Sequence, residues 1–482
     1  MTGTDCHLIQ DYMNTKVLRN IVAIAILLSL SFSADAITLE EAKKLYRDGD
    51  FETPLPEFKA ALAKRPKDAS LNQWVGVCLY QQGQPDEAIK YLKVADSKNV
   101  IEAPRYLAMI AFNDYRFNDA ESYLDRYRAA LTKAKRTMSD EMEAFADKLS
   151  RAKAMFDRVE NIVIIDSIAV DRDQFLSAYR LSPESGSINN YDMLPEDAEV
   201  AEPPVVYMPE SRQTMIWSAP DDNENYVLMS AAQLYDGSWE KPHVLSPALN
   251  TGGGDSNFPF LMQDGITLYY ANDGEESIGG YDIFISRKGD NGFLQPQNLG
   301  MPYNSPYDDY MLAIDETTGT GWWATDRNQL GDSITIYVFI PSELRKNYPV
   351  DADGLASKAK ITDYKSTWEE DKDYSSILAA IEEIKSPKMN KGNDFYFAMP
   401  GNVIYTSWDD FKSPRARDAM DLYLNAKEDV KATEEELSFL RTQYHDGDKS
   451  VSSDILSLER KMEEMRRNLR KLANDVVLAE RR

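Results

Sequence analysis

The chain has 482 residues, with 54 Lys plus Arg against 80 Asp plus Glu, for a net charge of −26. That length exceeds one ordinary core and fits two to four domains. The acidic surplus argues against nucleic acid and anionic membrane surfaces as partners, because both need clustered Lys and Arg.

Residues 1–36 read as a secretory signal. Lys16 and Arg19 form a basic start, Val22 to Phe32 an apolar core too short to span a bilayer, and Ala34-Asp35-Ala36 a cleavage site. Cleavage after Ala36 is expected, with Met1 and Met13 as alternative starts. No cysteine follows the apolar core, so a lipid anchor is not expected. Cys6 and Cys78 are the only cysteines. Cleavage removes Cys6, which leaves no intramolecular disulfide. Cys78, inside an apolar run, reads as a small core residue.

Residues 37–157 are helical and repetitive. Ala42, Leu45, Gly49, Phe58 and Ala61 recur 34 residues later as Gly76, Leu79, Gly83, Leu92 and Ala95. A third copy follows at a shift of 32, with Ala108, Ala111, Ala120 and Leu124 matching Gly76, Leu79, Ala88 and Leu92. Small residues where paired helices touch, and turns after Gly49 and Gly83, describe helix-turn-helix units. The pattern, with Pro66 near the end of the first copy, resembles the tetratricopeptide repeat. Pro54 stands where the third copy has Ala120, which predicts a weakened or kinked second helix in the first copy. A further helix over about 139–157 is expected to cap the stack.

From 158 to 413 the pattern changes to strands. Residues 161–168 form an apolar β-branched run, and Phe175 to Leu181 is read as a second strand. An acidic Pro- and Ser-rich loop is expected over 184–203. Met215–Ser218 pairs naturally with Tyr226–Met229, Ile266–Tyr270 with Tyr281–Ile285, and Trp322–Ala324 with Ile334–Phe339. Trp239, Pro242, Leu245 and Asn250 recur at a shift of 54 as Phe293, Pro296, Leu299 and Asn304. Each set precedes a strand ending in Ala-x-Asp, at Asp273 and at Asp326. Such a repeat points to a β-propeller of about five to six blades. Residues 345–392 interrupt it as a helical insertion, with Ile377, Leu378, Ile381 and Ile384 at helical spacing. Strands resume at 395–397 and 403–407 and are expected to join a blade with the 161–181 strands.

Residues 414–482 read as a helical hairpin. Tyr423, Ala426, Val430, Thr433, Leu437, Leu440 and Tyr444 form one seam. Ile455, Leu458, Met462, Met465, Leu469, Leu472 and Val476 form the other, across a turn at 446–448. This predicts an antiparallel coiled coil that closes on itself or pairs with a second copy as a homodimer.

Catalytic equipment is sparse. The three histidines, His7, His243 and His445, share no motif, and neither a nucleophile elbow, a phosphate-binding Gly loop nor a His-Glu-x-x-His occurs. Acidic turns at 221–224 and 272–276 invite calcium, but neither fits the twelve-residue loop. Trp217, Tyr269, Trp322 and Trp408 fall at matching places in successive strand pairs. With Tyr46 and Tyr80 of the helical repeats they are the candidate binding surface. Of the neighbours Trp322 and Trp323, one should pack between blades and the other face the channel or rim.

Residues 279–284, 293–300 and 304–305 together resemble the TolB-type, WD40-like propeller repeat of bacterial envelope proteins. Tetratricopeptide repeats followed by such a propeller resemble periplasmic proteins, some of them in type IX secretion and gliding machinery. Those relatives often end in an OmpA-like domain, which this chain replaces with the hairpin. The resemblance implies no catalytic residues. The expectation is a non-enzymatic periplasmic scaffold with protein partners, without cofactor, metal, nucleic acid or membrane span. A propeller that binds glycan or peptidoglycan is the first alternative, and a carboxylate-based enzyme on its loops the second.

Overall fold

A computed structural model describes residues 37–189, 194, 205–235, 238–250, 253–290, 292–331, 333–342, 344–369, 372–379, 395, 397–399, 403–405, 407–445 and 451–481. The signal expected at 1–36 and the turn expected at 446–448 lie outside the described residues. The chain forms two compact units. One takes the chain up to Asp114 with Asn118–Ser139, and the other takes Tyr115–Phe117 with Asp140–Arg482.

The first unit is built from helix pairs. They are α1 (Leu39–Arg47) with α2 (Leu55–Lys64), α3 (Ala69–Gln81) with α4 (Pro85–Ser97), and α5 (Ala103–Asn113) with α6 (Phe117–Lys133). Thr38 and Glu41 close a capping box on α1, and Asp68 caps α3 through Leu71 N. Pro54 does not kink α2. It sits at the N-cap, where its missing N–H costs nothing, and the helix simply starts late. Gly76 lets α3 and α4 meet: a Cβ there would lie 2.7 Å from Leu92 Cγ. Gly49 and Gly83 end the first helices of their pairs with φ of +90° and +70°. Tyr115 occupies the same place in the third copy, with φ of 59°. An aromatic residue resists that conformation, and the buried ring of Tyr115, 2 % exposed, holds it there.

The expected capping helix exists as α7 (Asp140–Phe156), but it belongs to the strand-rich unit and not to the stack. Lys148 Nζ donates to Gly279 O at 2.9 Å, and Phe156 packs edge-on against Phe117.

Three sheets of four or five strands follow. The first runs β2 (Ser187–Asn189), β3 (Val206–Met208), β4 (Thr214–Pro220), β5 (Tyr226–Ala232), β6 (His243–Val244). The second runs β7 (Ser256–Leu261), β8 (Thr267–Asn272), β9 (Asp282–Gly289), with β10 (Gly292–Phe293) and β11 (Gln297–Asn298) both on β9. The third runs β12 (Asp309–Asp315), β13 (Thr320–Leu330), β14 (Ser333–Ile340), β1 (Val163–Asp171). All pairs are antiparallel, and the three strand pairings expected from the sequence are present as β4–β5, β8–β9 and β13–β14. These are three sheets, among the described residues, where five to six blades are expected.

The repeat holds at the level of the backbone. Phe258 and Met311 lie 53 residues apart at the same bulge, with φ of 57° and 51°. Carboxylates tie the sheets together at the same spacing. Asp255 accepts Tyr226 N at 2.8 Å, and Asp308 accepts Tyr281 N at 2.9 Å. Asp273 and Asp326, the ends of the two Ala-x-Asp motifs, accept the N–H groups of Asp255 and Asp308.

Several expectations change. Residues 175–181 do not form a strand; a 3-10 helix, Arg172–Ala178, leads into a segment that ties sheet to sheet. Tyr179 Oη donates to Met311 O, and Ser182 donates to Asp315 through both N and Oγ. The 184–203 loop contains β2. Of the insertion, α8 (Leu355–Lys360), a 3-10 turn at Tyr364–Thr367 and a helical stretch at 375–379 are described; Ile381 and Ile384 lie outside. The strand pair β15 (Phe397–Met399) and β16 (Val403–Tyr405) does not join β1, whose partner is β14. The core around Phe395 and Phe397 lies instead against the helix pair α9 (Pro414–His445) and α10 (Ser452–Arg481). Met420, Val430, Met462, Leu469 and Val476 fill the space between these helices. Glu480, near the end of α10, accepts Lys412 N at 2.8 Å, Ser413 N at 3.0 Å and Tyr405 Oη at 3.2 Å, which caps the start of α9.

Candidate functional site

The first helix of each repeat carries an aromatic face. Tyr46 of α1 meets Phe51 at 5.6 Å, Phe58 at 6.0 Å and Trp74 of α3 at 6.4 Å. Lys43 lies 5.5 Å over the Trp74 ring. Tyr80 of α3 packs edge-on against Tyr106 of α5 at 5.4 Å. Tyr46, Trp74, Tyr80 and Tyr106 are all half-buried, so each keeps one exposed edge.

Tyr46 also feels Tyr106, Glu102 and Arg105 of α5. Burial raises its phenol above the usual range, and the charges of Tyr106, Cys78 and Glu102 raise it further while Arg105 opposes them. Gln73, Val77 and Tyr80 of α3 are spaced by four and three and so share one side of that helix. Burial pushes the Cys78 thiol up to about 12, which leaves it an unreactive core residue.

Gln73 is the unusual member. It is 5 % exposed, and neither Nε2 nor Oε1 has a hydrogen-bond partner. A buried polar group left unpaired costs about 1–3 kcal/mol. Arg105 occupies the equivalent place in the next repeat, 32 residues on, and stacks 5.6 Å over Tyr106. Glu102 is held by Arg136 at 3.0 Å and by Tyr127 Oη at 3.3 Å. Tyr46 and Tyr80 stand out in the sequence, whereas Gln73, Trp74, Arg105 and Tyr106 do not. The same repeat register that aligned Gly76 with Ala108 also aligns Gln73 with Arg105, and that signal was in reach.

The strand-region aromatics do not form one surface. Trp217, 1 % exposed, fills the first sheet's core with Val206 and Met215. Trp322, 2 % exposed, lies in the central core with Phe258 and Tyr310. Both are corrections to the candidate surface: the sheets are covered on both faces, so neither indole reaches a ligand. Trp323 is buried on the opposite face with Tyr303 and Phe339, so neither of the neighbouring tryptophans faces a channel or rim. Tyr269 is half-buried, with burial raising its phenol to about 12. Trp408 is half-buried against Phe395, in the core shared with the helix pair.

Polar chemistry in the strand-rich unit is largely structural. Arg327 and Asp309 pair at 2.5 Å with neither exposed. Arg327 also donates to Pro302 O, Tyr303 O and Thr325 Oγ1, and Ser305 Oγ donates to Asp309. Asp282 is fully buried and accepts Ile278 N, Gly279 N and Asn298 Nδ2. Burial lifts its carboxyl to about 7. Burial, with Asp308 adding to it, also raises Asp326; burial is the main cause at Asp273 as well. Asp221 accepts Asn223 N and Asn225 N, a self-capped turn. His243 is exposed on β6, 3.6 Å from Glu240. No cluster of three or more His, Cys, Asp or Glu with metal-binding geometry occurs among the described residues. Nor, among them, is any helix long and apolar enough to cross a membrane.

Charge is unevenly distributed. Residues 140–413 hold 47 acidic and 21 basic side chains, whereas 37–139 hold 15 and 17. The helical repeats are thus close to neutral.

Residues 45–111 match the tetratricopeptide repeat family. The matched span contains Tyr46, Gln73, Trp74, Tyr80, Arg105 and Tyr106. No curated protein matches the chain significantly. The repeats suggest protein–protein interaction, and with it protein partners.

Proposed function

We propose that the protein is a non-enzymatic scaffold of the bacterial periplasm that holds a protein partner in its helical-repeat groove. The observation that carries this reading is the aromatic face of α1, α3 and α5 inside the segment matching tetratricopeptide repeats. The basic start, apolar core and Ala34-Asp35-Ala36 site support export. In this reading the three sheets are part of a TolB-like propeller that acts as a second platform. The helix pair α9–α10 is a coiled-coil arm, and an envelope secretion or assembly complex is the setting.

A glycan-binding propeller has less support, because Trp217 and Trp322 are enclosed. A carboxylate-based enzyme also has less, because Asp255, Asp273, Asp308 and Asp326 each spend an oxygen on a backbone N–H.

The test is a quantitative pull-down from envelope extract with the full chain and with a Tyr46→Ser, Tyr80→Ser, Tyr106→Ser variant. A stoichiometric protein retained by the first and lost by the second is the expected result. Retention on isolated cell wall, with no protein partner, contradicts it.

A further inference from the structure

We propose that one exposed flank of the helix pair α9–α10 docks on the same flank of a second copy of this chain, as a two-fold four-helix bundle. The proposal concerns the helix pair alone and stands whether or not the helical repeats hold a partner.

The seam inside the pair is already filled. Tyr423, Val430 and Leu437 of α9 are buried, as are Met462, Leu469 and Val476 of α10. Thr433 Oγ1 lies 3.6 Å from Met465 Sδ, which sets the register of the two helices. In an antiparallel pair, the residues just before these seam positions fall on one common flank. On α9 that flank is Leu422, Asn425, Asp429, Ala432, Glu436 and Phe439, at steps of three and four, and all six are exposed. On α10 it is Lys461, Glu464, Asn468, Lys471, Asp475 and Leu478, again all exposed. Leu422, Phe439 and Leu478 are 58 %, 62 % and 52 % exposed, and the register brings Leu422 within a turn of the level of Leu478.

The charges of the flank say what covers it. Asp429 and Glu436 of α9 lie within a turn of the levels of Lys471 and Lys461 of α10. None of the four makes an ion pair among the described residues. A two-fold axis along the length of the pair lays α9 of one copy on α10 of the other and keeps every level. Asp429 then meets Lys471 of the second copy, Glu436 meets its Lys461, and each pairing occurs twice. Leu422 meets Leu478 of the second copy, and Phe439 covers the stem of its Lys461. Asp475 comes opposite Asn425, and Glu464 opposite Ala432. Turning one copy end for end would instead lay the acidic α9 stripe on itself. Exposed charge pairs set the orientation, while the apolar ends supply the affinity. Two helices about 45 Å long and about 10 Å wide offer each copy roughly 900 Å², the size of a standard specific interface.

Sedimentation of residues 37–482 at about 1 to 100 µM should show a monomer–dimer equilibrium. Leu422→Asp with Leu478→Asp should weaken it about tenfold or more, with helix content by circular dichroism unchanged, because both side chains are exposed. Asp429→Lys with Glu436→Lys makes the α9 stripe basic, and Lys461→Glu with Lys471→Glu makes the α10 stripe acidic. Each of these two variants alone should be monomeric. Mixed in equal amounts they should form a heterodimer, because each α9 then meets an α10 of opposite charge. Pairing within one helix hairpin cannot produce that recovery. A monomer throughout the range, a dimer that survives the leucine changes, or a mixture that stays monomeric overturns the proposal.

Discussion

Nη2 of Arg327 lies 2.5 Å from Oδ1 of Asp309, and neither side chain reaches solvent. The pair joins β13 to β12 beneath the Met301–Ser305 turn, whose Pro302 and Tyr303 carbonyls each accept one guanidinium hydrogen. Burial pushes the Asp309 carboxyl up, and the Arg327 guanidinium beside it opposes the rise. Arg327→Met leaves a carboxylate buried without its cation. The expected cost is about 3–5 kcal/mol, read as a shift of the urea unfolding curve followed by tryptophan fluorescence. A shift below about 1 kcal/mol would show that water reaches Asp309.

The buried carboxyls give the strand-rich unit a pH dependence of definite sign. Asp282 is raised to about 7, against about 3.9 in an unfolded chain. Between those values the folded state holds a proton that the unfolded state has lost. Stability therefore falls as pH rises from about 4 to about 7, by up to about 1.4 kcal/mol per pH unit for one proton, and levels off above. Glu160, Asp273 and Asp326 are shifted in the same direction, chiefly by burial. Thermal melts from pH 5 to pH 8.5 should show this slope, and Asp282→Asn should flatten it. A midpoint that rises across that range contradicts the assignment.

Gly76 is required for the α3–α4 contact. In Gly76→Val the new Cβ would lie 2.7 Å from Leu92 Cγ, too close without a shift of one helix. A loss of about 1–3 kcal/mol is expected in the helical repeats, seen as faster hydrogen exchange over 69–97. Leu92→Ala in the same chain should recover part of it. Unchanged exchange would mean that the pair opens freely.

Glu480 ties the end of α10 to the start of α9. Glu480→Ala removes the acceptor for two backbone N–H groups and the Tyr405 hydroxyl. A loss of about 1 kcal/mol is expected, confined to the helix pair and the Phe395–Tyr405 core, with exchange rising first at 412–416. Glu480→Gln, which keeps an acceptor, should lose less.

The repeats were readable because small residues and turn glycines must recur wherever helices touch and reverse. The strand pairs are readable because β4–β5, β8–β9 and β13–β14 each alternate or run apolar on both sides of a polar connection. Sheet membership was not readable: β1 pairs with β14 across more than 160 residues, and nothing local to Val163–Asp171 specifies that partner. The same limit hid the move of β15–β16 to the helix pair and the inclusion of α7 in the strand-rich unit. Trp217 and Trp322 misled because a tryptophan on a strand looks alike whether its sheet is covered on one face or two. Gln73 does not stand out in the sequence, because a glutamine on a helix is ordinary until its amide proves to be buried.

The central claim is that the helical repeats hold a protein through their aromatic face. Photo-crosslinking in living cells tests it most directly, with benzoylphenylalanine replacing Tyr80, Tyr106 or, as an exposed control on the helix pair, Leu478. A discrete protein adduct from Tyr80 and Tyr106, absent from Leu478, is the expected result. No protein adduct from either groove position, or the same adducts from all three, would contradict the claim.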